Sequence, residues 1–174
     1  MKKQNSLIKV ILLATGGFFV FVCMDSAAKY LGTLMPVTHV IWGRFFFHLL
    51  TIIFFFLIFK PKVNLKKNFK VQILRSALMV TATTFMFYSL QKFDLVDIYV
   101  VFFISPFIVS LLTAYFLKDV LTVKGIILMF LSFISIVYAL GPSMKIFSFN
   151  LIFPIIPPIC WALYQFFTKI VSND

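Results

Sequence analysis

Residues 8 to 59 read IKVILLATGGFFVFVCMDSAAKYLGTLMPVTHVIWGRFFFHLLTIIFFFLIF. A helix crosses the bilayer core with roughly 20 mostly apolar residues. The stretch holds two windows of that kind, 8–34 and 36–59, which meet at a turn around Pro36. It therefore predicts a hairpin of two membrane-spanning helices.

Four further windows of similar length follow, at 71–92, 95–117, 124–141 and 149–170. With 62% hydrophobic residues and a mean hydropathy of +1.07, the chain keeps too little polar surface to cover a water-soluble domain. The first window is also too long for the apolar part of a signal peptide and lacks a cleavage site. The sequence thus predicts an all-α integral membrane protein with six transmembrane helices.

The positive charges follow this topology. A net charge of +11 would suggest nucleic acid as the partner of a soluble protein. Here, however, 12 of the 16 lysines and arginines fall on one side of the membrane: Lys2, Lys3, Lys9, Lys60, Lys62, Lys66, Lys67, Lys70, Arg75, Lys118, Lys124 and Lys169. The other side, or spans opening to it, holds Lys29, Arg44, Lys92 and Lys145. The positive-inside rule places both chain ends in the cytoplasm, and nucleic-acid binding is not expected.

Cysteine and histidine spacing points to no metal site, cofactor or enzyme activity. Cys23 and Cys160 both fall inside predicted spans, where they are expected to be packing residues. His39 and His48 lie nine positions apart without a CxxC or HExxH pattern around them.

Charged residues inside the spans carry the main functional signal, since a charge at the bilayer centre costs about 2.5–3.5 kcal/mol on insertion scales. Asp25 and Lys29 are four residues apart in span one, so they share a helix face and can neutralise each other. Arg44 and His48 have the same spacing in span two. This pattern predicts a buried polar cluster.

The predicted cluster lies at one depth in the membrane. Counted from the turn at Pro36, Asp25 and Arg44 are roughly 12–17 Å below the outer surface at 1.5 Å per residue, so they are expected to meet across the hairpin. With Lys29 and His48 the cluster has excess positive charge, which favours an anionic or zwitterionic solute.

The later spans add polar residues and prolines. Span three has a stripe of Thr81, Thr84 and Tyr88, which serves either helix–helix hydrogen bonding or a cavity wall. In span four, Pro106 near Tyr99 forms either a passive kink or a hinge.

Span six combines prolines with polar groups, a combination found at the midplane sites of many carriers. Its first half is expected to be irregular because of Pro154, Pro157 and Pro158. The candidate cavity-lining residues of the whole chain are Asp25, Lys29, Arg44, His48, Thr84, Tyr88, Tyr99, Trp161 and Gln165, with Pro106, Pro157 and Pro158 as hinges or kinks.

Residues 88 to 121 read YSLQKFDLVDIYVVFFISPFIVSLLTAYFLKDVL, and this stretch resembles the EamA-type repeat of the drug/metabolite transporter superfamily. Ser105 and Pro106 match a Ser/Ala-Pro pair of that repeat. Lys118 and Asp119 stand where Gly-Glu is usual, so the chain keeps the acidic group and departs at the glycine.

Both ends of the chain resemble the same family. Residues 24 to 46, MDSAAKYLGTLMPVTHVIWGRFF, are similar to its first hairpin, with Arg44 at a recurrent arginine. Residues 160 to 174, CWALYQFFTKIVSND, resemble the opening helix of its second repeat. The resemblance implies a first five-helix repeat over 1–142 and the first helix of an incomplete, inverted second repeat over 143–174.

The resemblance further implies a carrier of small polar metabolites that works by alternating access between two inverted repeats, in a bacterial cytoplasmic (inner) membrane. Its expected partners are the lipid bilayer and a small polar or zwitterionic solute. The family has ten helices and this sequence matches six, so three alternatives stay open: the front part of a longer carrier, a remnant or non-transporting assembly subunit, and a homodimeric exporter of cations that uses Asp25. The one-sided charge distribution argues against the last, which needs insertion in both orientations.

Overall fold

The computed structural model describes residues 2–60, 68–118, 122–140 and 152–173. These ranges form helices and contain no strand, which confirms the predicted all-α fold class. The helices are α1 (Lys2–Leu34), α2 (Val37–Phe59), α3 (Phe69–Lys92), α4 (Leu95–Phe102), α5 (Ser105–Leu117), α6 (Val123–Leu140) and α7 (Ile152–Asn173).

Four membrane spans stand out by length and composition within the described ranges. They are Ile8–Leu34, Val37–Phe59, Phe69–Lys92 and Leu95–Leu117, the last of which is formed by α4 and α5 together. These four agree with the first four predicted windows to within two residues. The shorter apolar helix Val123–Tyr138 and the helix α7 occupy the last two windows, whose junction at 141–151 lies outside the described residues.

The fourth span is interrupted at Phe103 and Ile104, between α4 and α5. Pro106 has no amide hydrogen, so the helical bond from this position to the Phe102 carbonyl is absent. The Ile104 amide donates to the Val101 carbonyl at 3.1 Å, a step of three residues where an α-helix takes four. The interruption therefore lies immediately before the proline.

The prediction that prolines make the first half of the sixth span irregular is wrong, because α7 is one helix that includes Pro157 and Pro158. Pro154 stands in the first turn, where a helix amide has no partner within the helix in any case. All three prolines are fully buried. We attribute the continuity of α7 to its packing against the other helices, which outweighs the loss of two amide donors.

The centre of the bundle is α3, which packs most extensively along α7 and also contacts α1, α2 and α4. Ala162 of α7 is completely buried, and a small residue there lets neighbouring helix backbones approach closely. A cluster of buried side chains joins α1, α2 and α4 to α3. It contains Ala28 from α1, Val40 from α2, Leu90 from α3 and Ile98 from α4.

The outer surface of the first hairpin is apolar. No residue in the most apolar window of α2 is buried, and Leu13 of α1 and Leu57 of α2 are both more than two thirds exposed. Such surfaces suit a lipid environment, because lipid tails are as apolar as leucine.

Candidate functional site

A cavity of about 350 Å³ lies among α1, α2, α3, α4 and α7. Its walls are mostly apolar and aromatic, and they include Phe18, Phe21, Met79, Met86, Phe102 and Trp161. The polar residues in the walls are Thr15, Asp25, Arg44, Thr83 and Tyr99. Apolar walls with a few converging polar groups are the usual composition of a small-molecule site.

Asp25 is the most buried of the polar residues in this cavity, with 1% of its surface exposed. The Tyr99 hydroxyl donates a hydrogen bond of 2.8 Å to its Oδ2 atom. The second carboxylate oxygen, Oδ1, is buried and has no hydrogen-bond partner in the described structure. Because burial removes the water that would otherwise solvate this oxygen, its hydrogen-bonding capacity is unused.

Arg44 enters the cavity from α2 between two aromatic rings. Its guanidinium carbon lies 5.7 Å from the centre of the Phe21 ring on α1 and 5.2 Å from that of the Phe87 ring on α3. Both distances are within the range of a cation–π interaction. Two aromatic rings thus help to position the guanidinium at the cavity.

Asp25 and Arg44 carry side chains of opposite charge and both line the cavity. In the described structure their charged atoms do not approach within the 4.0 Å of an ion pair. The cavity therefore holds two opposite charges that attract each other without direct contact.

The aromatic residues of the wall form a connected series of rings. Tyr99 contacts Phe102 at 6.3 Å between ring centres, Phe102 contacts Trp161 at 6.1 Å, and Trp161 contacts Phe21 at 5.8 Å. This series joins α4 to α7 and α7 to α1. The faces and edges of these rings give the cavity a surface on which a planar or cationic group can pack.

Lys29 does not belong to this cavity, and its predicted pairing with Asp25 is absent. Its ammonium group donates a hydrogen bond of 2.9 Å to the Phe93 carbonyl and lies 3.7 Å from the Asp94 carboxylate, at the turn between α3 and α4. The lysine thus links α1 to the end of α3, and Asp25 takes Tyr99 as its partner.

We expect the Lys29 link to depend on the carbonyl more than on the carboxylate. The Asp94 side chain is 75% exposed, and an ion pair in that setting contributes about 0–1 kcal/mol, so Asp94→Asn should leave thermal stability nearly unchanged. Lys29→Met also removes the bond to Phe93 and should cost about 1 kcal/mol. Thermal unfolding of the detergent-purified protein measures both variants, and equal losses would contradict this assignment.

Four other predicted site residues lie outside the cavity lining. His48 and Gln165 are exposed on α2 and α7, and Thr84 and Tyr88 are half-buried on α3. The sequence-predicted residues that the structure brings together in the lining are therefore Asp25, Arg44, Tyr99 and Trp161. Among the predicted hinges, Pro157 also lines the cavity, Pro158 is fully buried and Pro106 is exposed.

The face of α3 that lines the cavity consists of Met79, Ala82, Thr83 and Met86. Their spacing of i, i+3, i+4 and i+7 is that of a single helix face. The polar pattern of span three predicts the neighbouring stripe instead, because three of the four residues on this face are apolar. Thr83, which is 4% exposed, is the polar residue on the true face.

A second feature that the sequence pattern does not reveal is the role of Arg75, whose position predicts only membrane topology. Its guanidinium carbon lies 5.1 Å from the centre of the Tyr164 ring on α7, and Nη1 donates a 2.8 Å hydrogen bond to the Gln72 side chain. A longer contact of 3.5 Å joins Nη2 to the Tyr164 hydroxyl. Arg75 therefore contributes to the contact between α3 and α7.

Sequence comparison places these features in a family. The sequence profile of the EamA-like transporter family matches residues 8–141. Two curated relatives, from Rickettsia felis and Rickettsia conorii, are each named "S-adenosylmethionine uptake transporter" and are 26% identical over 171 residues. The alignment covers 95% of this chain and 58% of each relative, so the chain spans less than two thirds of their length. No solved structure gives a significant match.

This chain belongs to the EamA-like transporter family. The predicted resemblance to the drug/metabolite transporter superfamily is thereby confirmed, and so is an integral, multi-pass membrane protein. The family consists of transporters, in agreement with the prediction that the chain is not an enzyme.

Proposed function

We propose that this chain provides the solute site of a membrane carrier for small zwitterionic metabolites. The observation that carries the proposal is the presence of two opposite charges, Asp25 and Arg44, in one cavity within membrane-spanning helices. Charges are costly at that depth and commonly mark a substrate or ion pathway. Their lack of direct contact leaves both groups able to bind the ends of a solute.

The structure changes the charge expected of that solute. The excess positive charge expected of the cluster depends on Lys29 and His48. Because both residues lie outside the cavity lining, one carboxylate faces one guanidinium. A site of this composition favours a zwitterion over an anion.

S-adenosylmethionine is the first solute to test, since it appears in the names of both Rickettsia relatives. It carries an amino-acid head group with both charges, a sulfonium cation and a planar adenine ring. The charged pair suits the head group, and the ring series Tyr99, Phe102, Trp161 and Phe21 suits the cation and the adenine.

We also propose the mechanism and orientation that the family resemblance implies. Residues 1–142 form the first repeat and 143–174 begin the second, so the long contact between α3 and α7 belongs to the interface that moves in alternating access. Successive spans cross the membrane in opposite directions, so the end of α2, the start of α3, the end of α5 and the start of α6 lie on the same side. Lysines stand at all four of these helix ends, which supports cytoplasmic chain ends: Lys60, Lys70, Lys118 and Lys124.

Transport by proteoliposomes containing the chain tests this proposal. We expect uptake of labelled S-adenosylmethionine to fall at least tenfold in Asp25→Asn and in Arg44→Lys, because a lysine lacks the planar fork that holds a carboxylate through two bonds. His48→Gln is the control, since this residue is exposed and outside the cavity lining.

Unchanged uptake in correctly inserted Asp25 and Arg44 variants would remove both residues from the site. Failure of S-adenosylmethionine, amino acids and nucleosides alike to bind or move would favour the assembly-subunit alternative. Export of cations by a homodimer through Asp25 stays a prediction, and transport restricted to cations would support it.

A further inference from the structure

We infer that Oδ1 of Asp25 is the acceptor for a protonated amine of the solute, so that the site selects solutes bearing a primary or secondary ammonium group. This inference rests on the proposed function and names one end of the solute that the cavity takes. It starts from an unused acceptor: Oδ1 is buried and lacks a hydrogen-bond partner among the described residues, although Asp25 lines a cavity. Buried carboxylate oxygens are normally hydrogen-bonded, and an exception calls for an explanation.

Tyr99 determines which oxygen is left for the solute. Its hydroxyl occupies Oδ2 at 2.8 Å and comes from α4, whereas Asp25 is on α1. The bond therefore fixes the carboxylate across two helices and leaves Oδ1 as its free end. Tyr99 acts through Asp25, which makes it a positioning residue for the solute amine.

The inferred acceptor distinguishes between two kinds of cation. The aromatic walls, including Phe102 and Trp161, attract any cation through their ring faces. An oxygen acceptor needs a hydrogen donor, which a protonated amine has and a quaternary ammonium or sulfonium ion lacks. A cation–π site alone would accept both kinds, and a site that uses Oδ1 prefers the amine.

Access to Oδ1 requires a small local movement, because this atom is shielded from solvent in the present conformation. Changes of side-chain rotamer on ligand binding are common even where the backbone stays fixed. Phe21 and Phe102, which both contact Trp161 and line the cavity, are candidates for such a change.

Trp161 supplies a direct reporter of binding. The chain has two tryptophans, and the second, Trp42, is 66% exposed on α2 and does not line the cavity. In the Trp42→Phe protein, tryptophan fluorescence therefore reports on the cavity wall alone. The probes are 2-phenylethylamine, which is a primary ammonium ion at neutral pH, and its N,N,N-trimethyl derivative, which has the same ring and charge without an N–H donor.

We expect 2-phenylethylamine to bind at least tenfold more tightly than the trimethyl derivative, as a charge-assisted hydrogen bond predicts. Asp25→Ala, which removes the acceptor oxygen, should abolish this preference. Tyr99→Phe, which keeps both charges, should weaken the preference without changing affinity for the trimethyl derivative. Size-exclusion profiles check that each variant is folded.

Equal affinities of the two probes for the Trp42→Phe protein, or a preference that survives Asp25→Ala, would overturn the inference. In both cases the cavity would still bind cations, so the proposed solute site would stand. If neither probe nor S-adenosylmethionine changes the fluorescence of Trp161, the inference and the proposed function fail together.

Discussion

Replacing Arg44 by methionine is expected to lower the free energy of unfolding by about 3 kcal/mol, because the change leaves Asp25 as an uncompensated buried carboxylate. Loss of the contacts with Phe21 and Phe87 adds to this cost. Protonation of Asp25 limits the total, since a neutral carboxyl is cheaper to bury than a charged one. Thermal unfolding in detergent, followed by size-exclusion chromatography, measures the effect.

A double-mutant cycle separates the charge effect from the packing effect. Asp25→Asn removes the charge that Arg44 compensates, so the double variant Asp25→Asn/Arg44→Met should be more stable than the sum of the two single losses predicts. Interaction energies of about 0.5–3 kcal/mol are usual for coupled residues. Strictly additive losses in the free energy of unfolding would show that the two side chains do not interact.

The same double variant also separates folding from transport. Neutralising both partners of a buried pair is often tolerated in stability. The solute would nevertheless lose both charged contacts, so we expect a folded protein that neither binds nor transports a zwitterion. Arg44→Lys is the matched control for stability, because it keeps the charge and the possibility of a cation–π contact.

The membrane spans were predictable because the bilayer constrains them one at a time. An apolar segment of sufficient length is a helix in lipid whatever its neighbours are, since its backbone must satisfy its own hydrogen bonds. The shared cavity position of Asp25 and Arg44 follows from a similar local argument, since the two residues belong to one hairpin and lie at similar distances from its turn.

The partners of these residues were not predictable, because they depend on how distant helices pack. Asp94, which lies near Lys29, is in the α3–α4 turn, and Tyr99, which bonds to Asp25, follows that turn. Both are far away in sequence. The four-residue spacing predicts that Lys29 pairs with Asp25. In the structure each residue instead binds a partner from the α3–α4 region. The side of α3 that lines the cavity was not predictable for the same reason. The helical period shows which residues share a face, but it does not show which face meets the other helices.

The prolines of α7 show tertiary packing prevailing over local propensity. Proline disfavours the interior of a helix because it removes a donor and crowds the preceding turn. Pro157 and Pro158 are nevertheless buried within a helix that packs along α3. Pro157 also lines the cavity, so the missing backbone bonds lie next to the proposed solute site.

The second large effect is expected at the contact between α1 and α3, where Ala28→Phe should destabilise the protein by about 1–3 kcal/mol through overpacking. Ala28 is 5% exposed and belongs to the buried cluster with Phe87 and Leu90 of α3. One turn later, a Cβ added at Gly32 would overlap the Gln91 side chain. Two small residues four apart on one face let membrane helices approach closely, and a phenylalanine ring does not fit between them.

Ala28→Phe should also impair function. Asp25, Ala28 and Gly32 follow the i, i+3, i+7 spacing of one face of α1, so displacing this face from α3 also moves Asp25 relative to Tyr99. We therefore expect the preference for 2-phenylethylamine to fall together with stability, although no charged residue has changed.

The adjacent position provides the control for that variant. Ala27 is exposed, so Ala27→Phe introduces the same ring on the same helix towards lipid, where it should change neither stability nor binding. Equal destabilisation by the two variants would mean that phenylalanine destabilises the helix α1 and not its contact with α3. A loss confined to Ala28→Phe would instead show that close approach of α1 to α3 holds Asp25 within reach of Tyr99, and thus that an apolar contact outside the cavity lining sets the geometry of the charged site.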